Sequence, residues 1–185
     1  MDSLWRTVLW AQFGAAIDML DNAVVACPDA LWRQSLWPDP PDHSLPPGRT
    51  EFWYIAYHAL FWLDLYLFGS EEGFMPPAPY ALVEQDDTGP MPERPYTKDE
   101  LRAYLAYARH KCKTTLETLT DERARQLVDF PWVEGQAVSY IELQIYSMRH
   151  VQEHAAQLNL LLGRHGVADE AIDWVARAER AGSDR

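Results

Sequence analysis

The sequence predicts an all-α protein, a four-helix bundle with a long crossover between helices 2 and 3 and a short C-terminal helix. Three observations lead to this prediction. Four segments of roughly 20 residues carry apolar side chains every three or four positions, the spacing of one helix face. Proline-rich stretches, which interrupt regular helices, separate these segments. No segment alternates apolar and polar residues convincingly enough to predict a strand.

The first two helices are predicted from their apolar residues and from the prolines beside them. The first helix runs from about Ser3 to Ala26 and ends before Pro28. Its apolar stripe consists of Leu9, Phe13, Ile17, Leu20 and Val24. The second helix runs from about Thr50 to Phe68 and is apolar nearly all round. We therefore expect protein to surround the second helix on most sides.

The third and fourth helices begin with capping boxes. Thr97 is followed three residues later by Glu100, and Ser139 is followed in the same way by Glu142. In each pair, the hydroxyl and the carboxylate accept backbone N–H groups that the first helical turn leaves without partners. The buried stripe of the third helix consists of Leu101, Leu105, Ala108, Cys112, Leu116 and Leu119.

The connections predict the topology. The loop from Gly69 to Tyr96 is long enough to run along a bundle whose helices are about 30 Å long. This length allows helices 2 and 3 to lie parallel, which a short loop would forbid. The fourth helix is predicted to end at about Arg164, with Gly166 just beyond it. A short amphipathic helix, roughly Asp169 to Ala178, is expected to follow.

Composition narrows the classes of function. The chain has 185 residues, a length that suits one domain, and a formal net charge of −12. A surface this negative repels phosphate backbones and anionic headgroups, so we expect neither nucleic acid nor a membrane as a partner. Two cysteines give no disulfide framework, and the first residues lack the positive segment of a signal peptide. These features predict a cytoplasmic protein.

Three of the six histidines lie in helices where they can face the core. His150 and His154 are four residues apart, so they share one helix face and can ligate one metal ion. His58 lies midway along the most apolar helix, where burying a polar group costs free energy unless the group has a partner. Chance alone gives roughly 0.2 histidine pairs at this spacing, so the pair is a weak signal. These residues allow two interpretations: an open three-histidine metal site, or a core histidine and a solvent-exposed pair.

The segments around these histidines resemble the DinB-like (YfiT-like) superfamily. His150-Val-Gln-Glu-His154-Ala-Ala-Gln157-Leu158 is similar to its helix 4 motif, two histidines followed by Gln three residues later. The segment from Trp53 to Leu63 resembles its second helix, where the other metal-binding histidine corresponds to His58. Ala156 stands where the family often has glycine. The resemblance covers nearly the whole chain and implies a single domain over residues 1–185. Together with the length of the Gly69–Tyr96 loop, it predicts that helices 2 and 3 lie parallel.

The resemblance also implies chemistry. Residues His58, His150 and His154 would bind one divalent metal ion, zinc or nickel in most members, and their ring nitrogens should converge within a few Å. Family members include thiol transferases that use small thiol cofactors. We therefore expect a metal-dependent enzyme of thiol transferase or hydrolase type that acts on a small molecule, with a small thiol as a candidate co-substrate. The alternative is a non-catalytic binding or interaction protein with a structural or vestigial metal site.

Other polar residues fit this site less well. Glu153 precedes the second histidine, whereas zinc metalloproteases have glutamate directly after the first, where Val151 stands. Cys112 lies on an apolar stripe and is expected to be an inert core thiol. His110 is expected to face solvent. A di-iron carboxylate bundle would need Glu-x-x-His pairs, which the sequence lacks.

Four further points concern Gln157, Asp64, the catalytic residues and the tryptophans. Gln157 can either orient a ligand from outside the site or simply pack on the helix. Asp64 lies on another face of helix 2 from His58 and is expected to pair with a basic residue. No residue stands out as a nucleophile or a general base, so the catalytic residues are unassigned. Some of the eight tryptophans are expected to line a pocket mouth or a homodimer contact.

Overall fold

Five α-helices and one pair of short strands are found in the part of the chain that the structure describes. The structure is a computed structural model, and it describes residues 3–38, 46–86, 91–130 and 137–167. The helices are α1 (Ser3–Ala26), α2 (Phe52–Phe68), α3 (Lys98–Thr118), α4 (Asp121–Arg125) and α5 (Tyr140–Arg164). The strands are β1 (Leu127–Val128) and β2 (Val138–Ser139), which pair antiparallel.

The four long helices form the predicted bundle. Both α1 and α2 pack on α3 and α5, so α1 and α2 lie diagonally opposite. Helices α2 and α3 are parallel, as predicted. Tyr96, just before α3, lies against Trp53 near the start of α2, whereas Lys111 reaches Asp64 in the second half of α2. Helix α5 runs antiparallel to α2.

Helix α2 is the centre of the core, because most of its residues are buried. Aromatic rings from the crossover and from α3 stack around it. The Tyr57 hydroxyl donates to Ala81 O at 2.5 Å, which holds the crossover against α2. The Tyr80 ring stacks on Tyr104 of α3 with centroids 4.2 Å apart. These contacts fix the path of the long loop along the bundle.

One buried charge interrupts this apolar helix. The carboxylate of Asp64 is fully buried and accepts from Lys111 Nζ at 2.5 Å and from the Tyr104 hydroxyl at 3.0 Å. The predicted pairing of Asp64 with a basic residue is therefore confirmed. The pair ties α2 to α3 because an unpaired carboxylate would be costly in this environment.

The helix ends agree with the sequence signals. Thr97 and Glu100 form both bonds of the predicted capping box at the start of α3. At the start of α5 the structure describes one of the two predicted bonds, from the Glu142 N–H to the Ser139 hydroxyl. Gly166 has a φ of +71°, and the N–H of Val167 bonds Leu162 O. Together with the bond from Gly166 N to Gly163 O, this is a Schellman motif.

Two expectations need correction. Helix α2 begins at Phe52 and not at Thr50, because Thr50 O accepts from Leu36 N and Phe52 N donates to Gln34 O. These bonds hold the backbone just before α2 in an extended pairing. The strands β1 and β2 were not predicted, since two residues are too short to show alternation. The predicted helix from Asp169 to Ala178 lies outside the described residues.

Among the described residues, no helix combines the length and the apolar character that crossing a bilayer requires.

Candidate metal centre

Helices α2 and α5 position the histidines through a series of side-chain bonds to the backbone. The Tyr140 hydroxyl donates to Leu67 O at 2.7 Å, and Gln144 Nε2 donates to Tyr66 O at 2.8 Å. Both bonds are made at the C-terminal end of α2, where its last carbonyls lack helical partners. Because the helices are antiparallel, the next turns of α5 lie beside the middle of α2. His58 thereby faces the histidine pair.

The three imidazoles turn their Nε2 atoms towards one another. His58 Nε2 lies 3.2 Å from His150 Nε2, and His154 Nε2 lies 3.0 Å from that same atom. Their candidate ligand atoms all lie within 4.8 Å of one another. The predicted convergence of the ring nitrogens is therefore confirmed. Within the described residues, these three side chains form the group that could hold a metal ion.

The second ring nitrogen of two histidines has an acceptor. His58 Nδ1 bonds the Glu84 carboxylate, and His154 Nδ1 lies 2.8 Å from Gln157 Oε1. Because both oxygens only accept, each Nδ1 carries the proton and donates. In a neutral imidazole this leaves the Nε2 lone pair free for a metal ion. The Nδ1 atom of His150 is buried, with no hydrogen-bond partner among the described residues.

Glu84 is the buried carboxylate of this site. It lies in a short 3-10 turn of the crossover, Val83–Gln85, and is 3% exposed. Burial acts to raise the pKa of Glu84, but His58, Tyr54 and Arg49 outweigh burial and hold that pKa below its ordinary value. Glu84 is therefore ionised at neutral pH although it is buried.

The two histidines of α5 are neutral in the metal-free protein. Burial, with a smaller effect from His58, lowers the pKa of His150 to about 2 and that of His154 to about 4. Metal ligation requires neutral imidazole, so both are already in the protonation state that binds a metal. The side chain of His58 is 27% exposed, so solvent reaches the cluster.

Aromatic rings line one side of the cluster. Tyr146 stacks on His150 with centroids 6.3 Å apart and the planes 17° from parallel. Tyr66 meets His150 edge-on, and Trp62 meets His58 edge-on. Tyr66 is buried whereas Tyr146 is 44% exposed. These aromatic rings therefore line the cluster from the protein interior to the solvent.

The donor set fits a divalent transition metal. Zinc–nitrogen bonds of about 2.0–2.1 Å at tetrahedral angles place ligand nitrogens roughly 3.4 Å apart, and right angles place them roughly 3.0 Å apart. Two of the three separations, 3.0 and 3.2 Å from His150 Nε2, lie near both values, and all the ligand atoms lie within 4.8 Å of one another. Three imidazoles suit zinc and nickel alike, so the geometry agrees with a metal without choosing between these two.

The sequence profile of the DinB superfamily matches residues 12–158. The chain belongs to the DinB superfamily. All three histidines lie within the matched region, and His58 and the pair on α5 are the residues on which the resemblance to this superfamily was based. No curated protein matches the chain.

The structure of this DinB superfamily protein also places the other candidate residues. Gln157 Oε1 accepts from His154 Nδ1, which agrees with a ligand-orienting role for Gln157. Glu153 is exposed, and His110 is exposed as expected. Cys112 is buried, and burial raises the pKa of its thiol above the ordinary value. This agrees with an inert thiol.

Sequence reasoning missed two residues beside the cluster. Glu84 lies in a proline-rich loop. The one sequence feature that could have indicated its role is its place between the apolar pair Leu82-Val83 and a turn. Trp62 is four residues after His58 and therefore on the same helix face, a spacing that could have been noticed.

Proposed function

We propose that this DinB superfamily protein binds one divalent metal ion, zinc or nickel, through His58, His150 and His154. We further propose that it is a metal-dependent enzyme of thiol transferase or hydrolase type that acts on a small molecule. One observation carries the proposal: three Nε2 atoms converge while two of the opposite Nδ1 atoms donate to fixed acceptors. This is the arrangement in which histidines serve as oriented metal ligands.

The surroundings of the cluster support an open site. Three protein ligands leave coordination positions for other molecules, as in catalytic zinc sites. When bound, a divalent ion supplies Lewis acidity that lowers the pKa of a water or thiol ligand. The partial exposure of His58 gives such a ligand a route from solvent. The half-exposed ring of Tyr146 offers an apolar contact for a small substrate or a thiol co-substrate.

Metal-dependent thermal stability tests the binding step. Zinc or nickel, added separately to chelator-treated protein, should raise Tm, because a ligand that binds only the folded state stabilises it by about 2.7 kcal/mol at 100 times Kd. His58→Ala, His150→Ala and His154→Ala should each lose most of that rise. His110→Ala is the matched control, because His110 is exposed on α3, and it should keep the full rise. Loss in the control, or retention in the three variants, contradicts the proposal.

A spectroscopic test separates an open site from a closed structural one. Cobalt(II) replaces zinc in such sites and has visible absorption bands that depend on its ligands. Adding 2-mercaptoethanol to the cobalt protein should shift these bands if a coordination position is accessible to a thiol. Unchanged bands would favour the alternative function, a non-catalytic binding protein whose metal is structural.

A further inference from the structure

The crossover contributes one ionised side chain to the histidine cluster. Glu84 Oε2 is the acceptor for two donors, His58 Nδ1 and the indole N–H of Trp62 at 3.0 Å. Trp62 Nε1 is also 3.2 Å from His58 Nδ1. Both nitrogens carry protons directed at the same oxygen, so this short separation reflects a shared acceptor. The carboxylate therefore fixes the rotation of the His58 ring.

The protein holds this carboxylate in place through the backbone on either side. Arg49 Nη2 donates to Val83 O at 3.3 Å and to Asp86 O at 2.7 Å, so one guanidinium bridges the residues that flank Glu84. Arg49 is itself only 6% exposed. The buried guanidinium of Arg49 therefore fixes the backbone of the turn that carries Glu84.

We propose that Glu84 is the positioning residue of the metal centre: its carboxylate holds His58 Nε2 towards His150 and balances the charge of the bound ion. The proposal rests on the proposed function, since it concerns the same three ligands. A carboxylate that accepts from the distal nitrogen of a histidine makes the ligating nitrogen a stronger donor. It also adds a negative charge beside a site whose three ligands are neutral. This charge favours the binding of a divalent cation.

A purely structural role for Glu84 is the competing explanation. In that case the contact with His58 is an ordinary buried ion pair that joins the crossover to α2. Its loss would then lower the stability of the metal-free protein and leave the intrinsic affinity for metal unchanged. The two roles therefore differ in which quantity responds to substitution.

Glu84→Gln is the decisive variant, because it keeps the shape and one acceptor oxygen but removes the charge. The apparent zinc Kd, measured by competition with a chromophoric chelator, should rise about 10- to 100-fold. The Tm of the metal-free protein should change little. Glu153→Gln is the matched control: it removes the same charge from an exposed residue next to His154 and should leave the zinc Kd within about twofold.

Cobalt(II) spectra provide a second readout, which reports on the ligands of the ion and not on the stability of the metal-free protein. A weaker His58 donor should move the visible bands of the Glu84→Gln protein without the large change of intensity that a lost ligand produces. A large intensity change would mean that Glu84 ligates the ion directly, which overturns a positioning role. An unchanged zinc Kd with a lowered metal-free Tm would also overturn it. If the wild-type protein binds no metal, the proposed function itself has failed.

Discussion

Lowering the pH of the metal-free protein from 7 to 5 should destabilise it strongly, because two buried histidines cannot take up protons. His150 and His154 have pKa values of about 2 and about 4 in the folded state. In the unfolded chain each reverts to about 6.5. The unfolded state therefore binds more protons below pH 6.5, and stability falls as pH falls.

The size of the effect follows from the separation of these pKa values. Each histidine that is neutral when folded and protonated when unfolded costs about 1.4 kcal/mol per pH unit below 6.5. At pH 5 this amounts to about 2 kcal/mol for each residue and about 4 kcal/mol for both. For a protein of this size the loss corresponds to a fall in Tm of about 10 °C. The loss continues to about pH 4 for His154 and to lower pH for His150.

Urea unfolding of chelator-treated protein at pH 7, 6 and 5 measures this dependence. The double variant His150→Leu/His154→Leu replaces both rings with apolar side chains, and it should lose about 4 kcal/mol less than the wild type over the same interval. His110→Ala, which changes an exposed residue, should retain the wild-type dependence. Carboxylates whose pKa is lowered, such as Glu100 with a pKa of about 2, lose their contribution to stability mainly below the ordinary value of 4.5 and so outside this interval.

Equal pH dependence in the wild-type protein and the double variant would refute the reasoning. It would mean that the two rings take up protons in the folded state, so that they are not desolvated as the structure describes. The cluster would then be more open to water than its burial indicates.

Three further outcomes are expected. Gln157→Leu removes the acceptor of His154 Nδ1 and should raise the zinc Kd at least about tenfold, whereas Gln157→Glu should retain tight binding; equilibrium dialysis measures both. Lys111→Met leaves the Asp64 carboxylate buried without its cation and should lower the free energy of unfolding by about 3–5 kcal/mol in urea titrations, a loss that Asp64→Asn in the same chain should partly restore. Cys112, whose thiol is buried and whose pKa is raised, should resist a thiol-specific reagent in the native protein and react once urea unfolds it.

Local signals in the sequence determined the helices. The first helix ends where the proline-rich connection predicts, and Thr97 caps the third helix with both bonds of the capping box. These features depend on neighbouring residues in the chain, so periodicity and short motifs were sufficient to predict them. The pair His150 and His154 was found for the same reason, because spacing on one helix fixes which side chains share a face. The parallel arrangement of α2 and α3 was predicted from loop length together with the resemblance to the superfamily.

Contacts between distant segments were decided only by the tertiary structure. Glu84 lies 26 positions after His58, and no pattern in the loop sequence predicts that its carboxylate contacts the His58 ring. The start of α2 at Phe52 likewise depends on backbone bonds with residues 34–36. Periodicity places His58 on a helix, but its distance from His150 depends on how α2 and α5 pack. Such contacts are fixed by the summed packing of the whole bundle, whereas a sequence pattern reports only on residues a few positions apart.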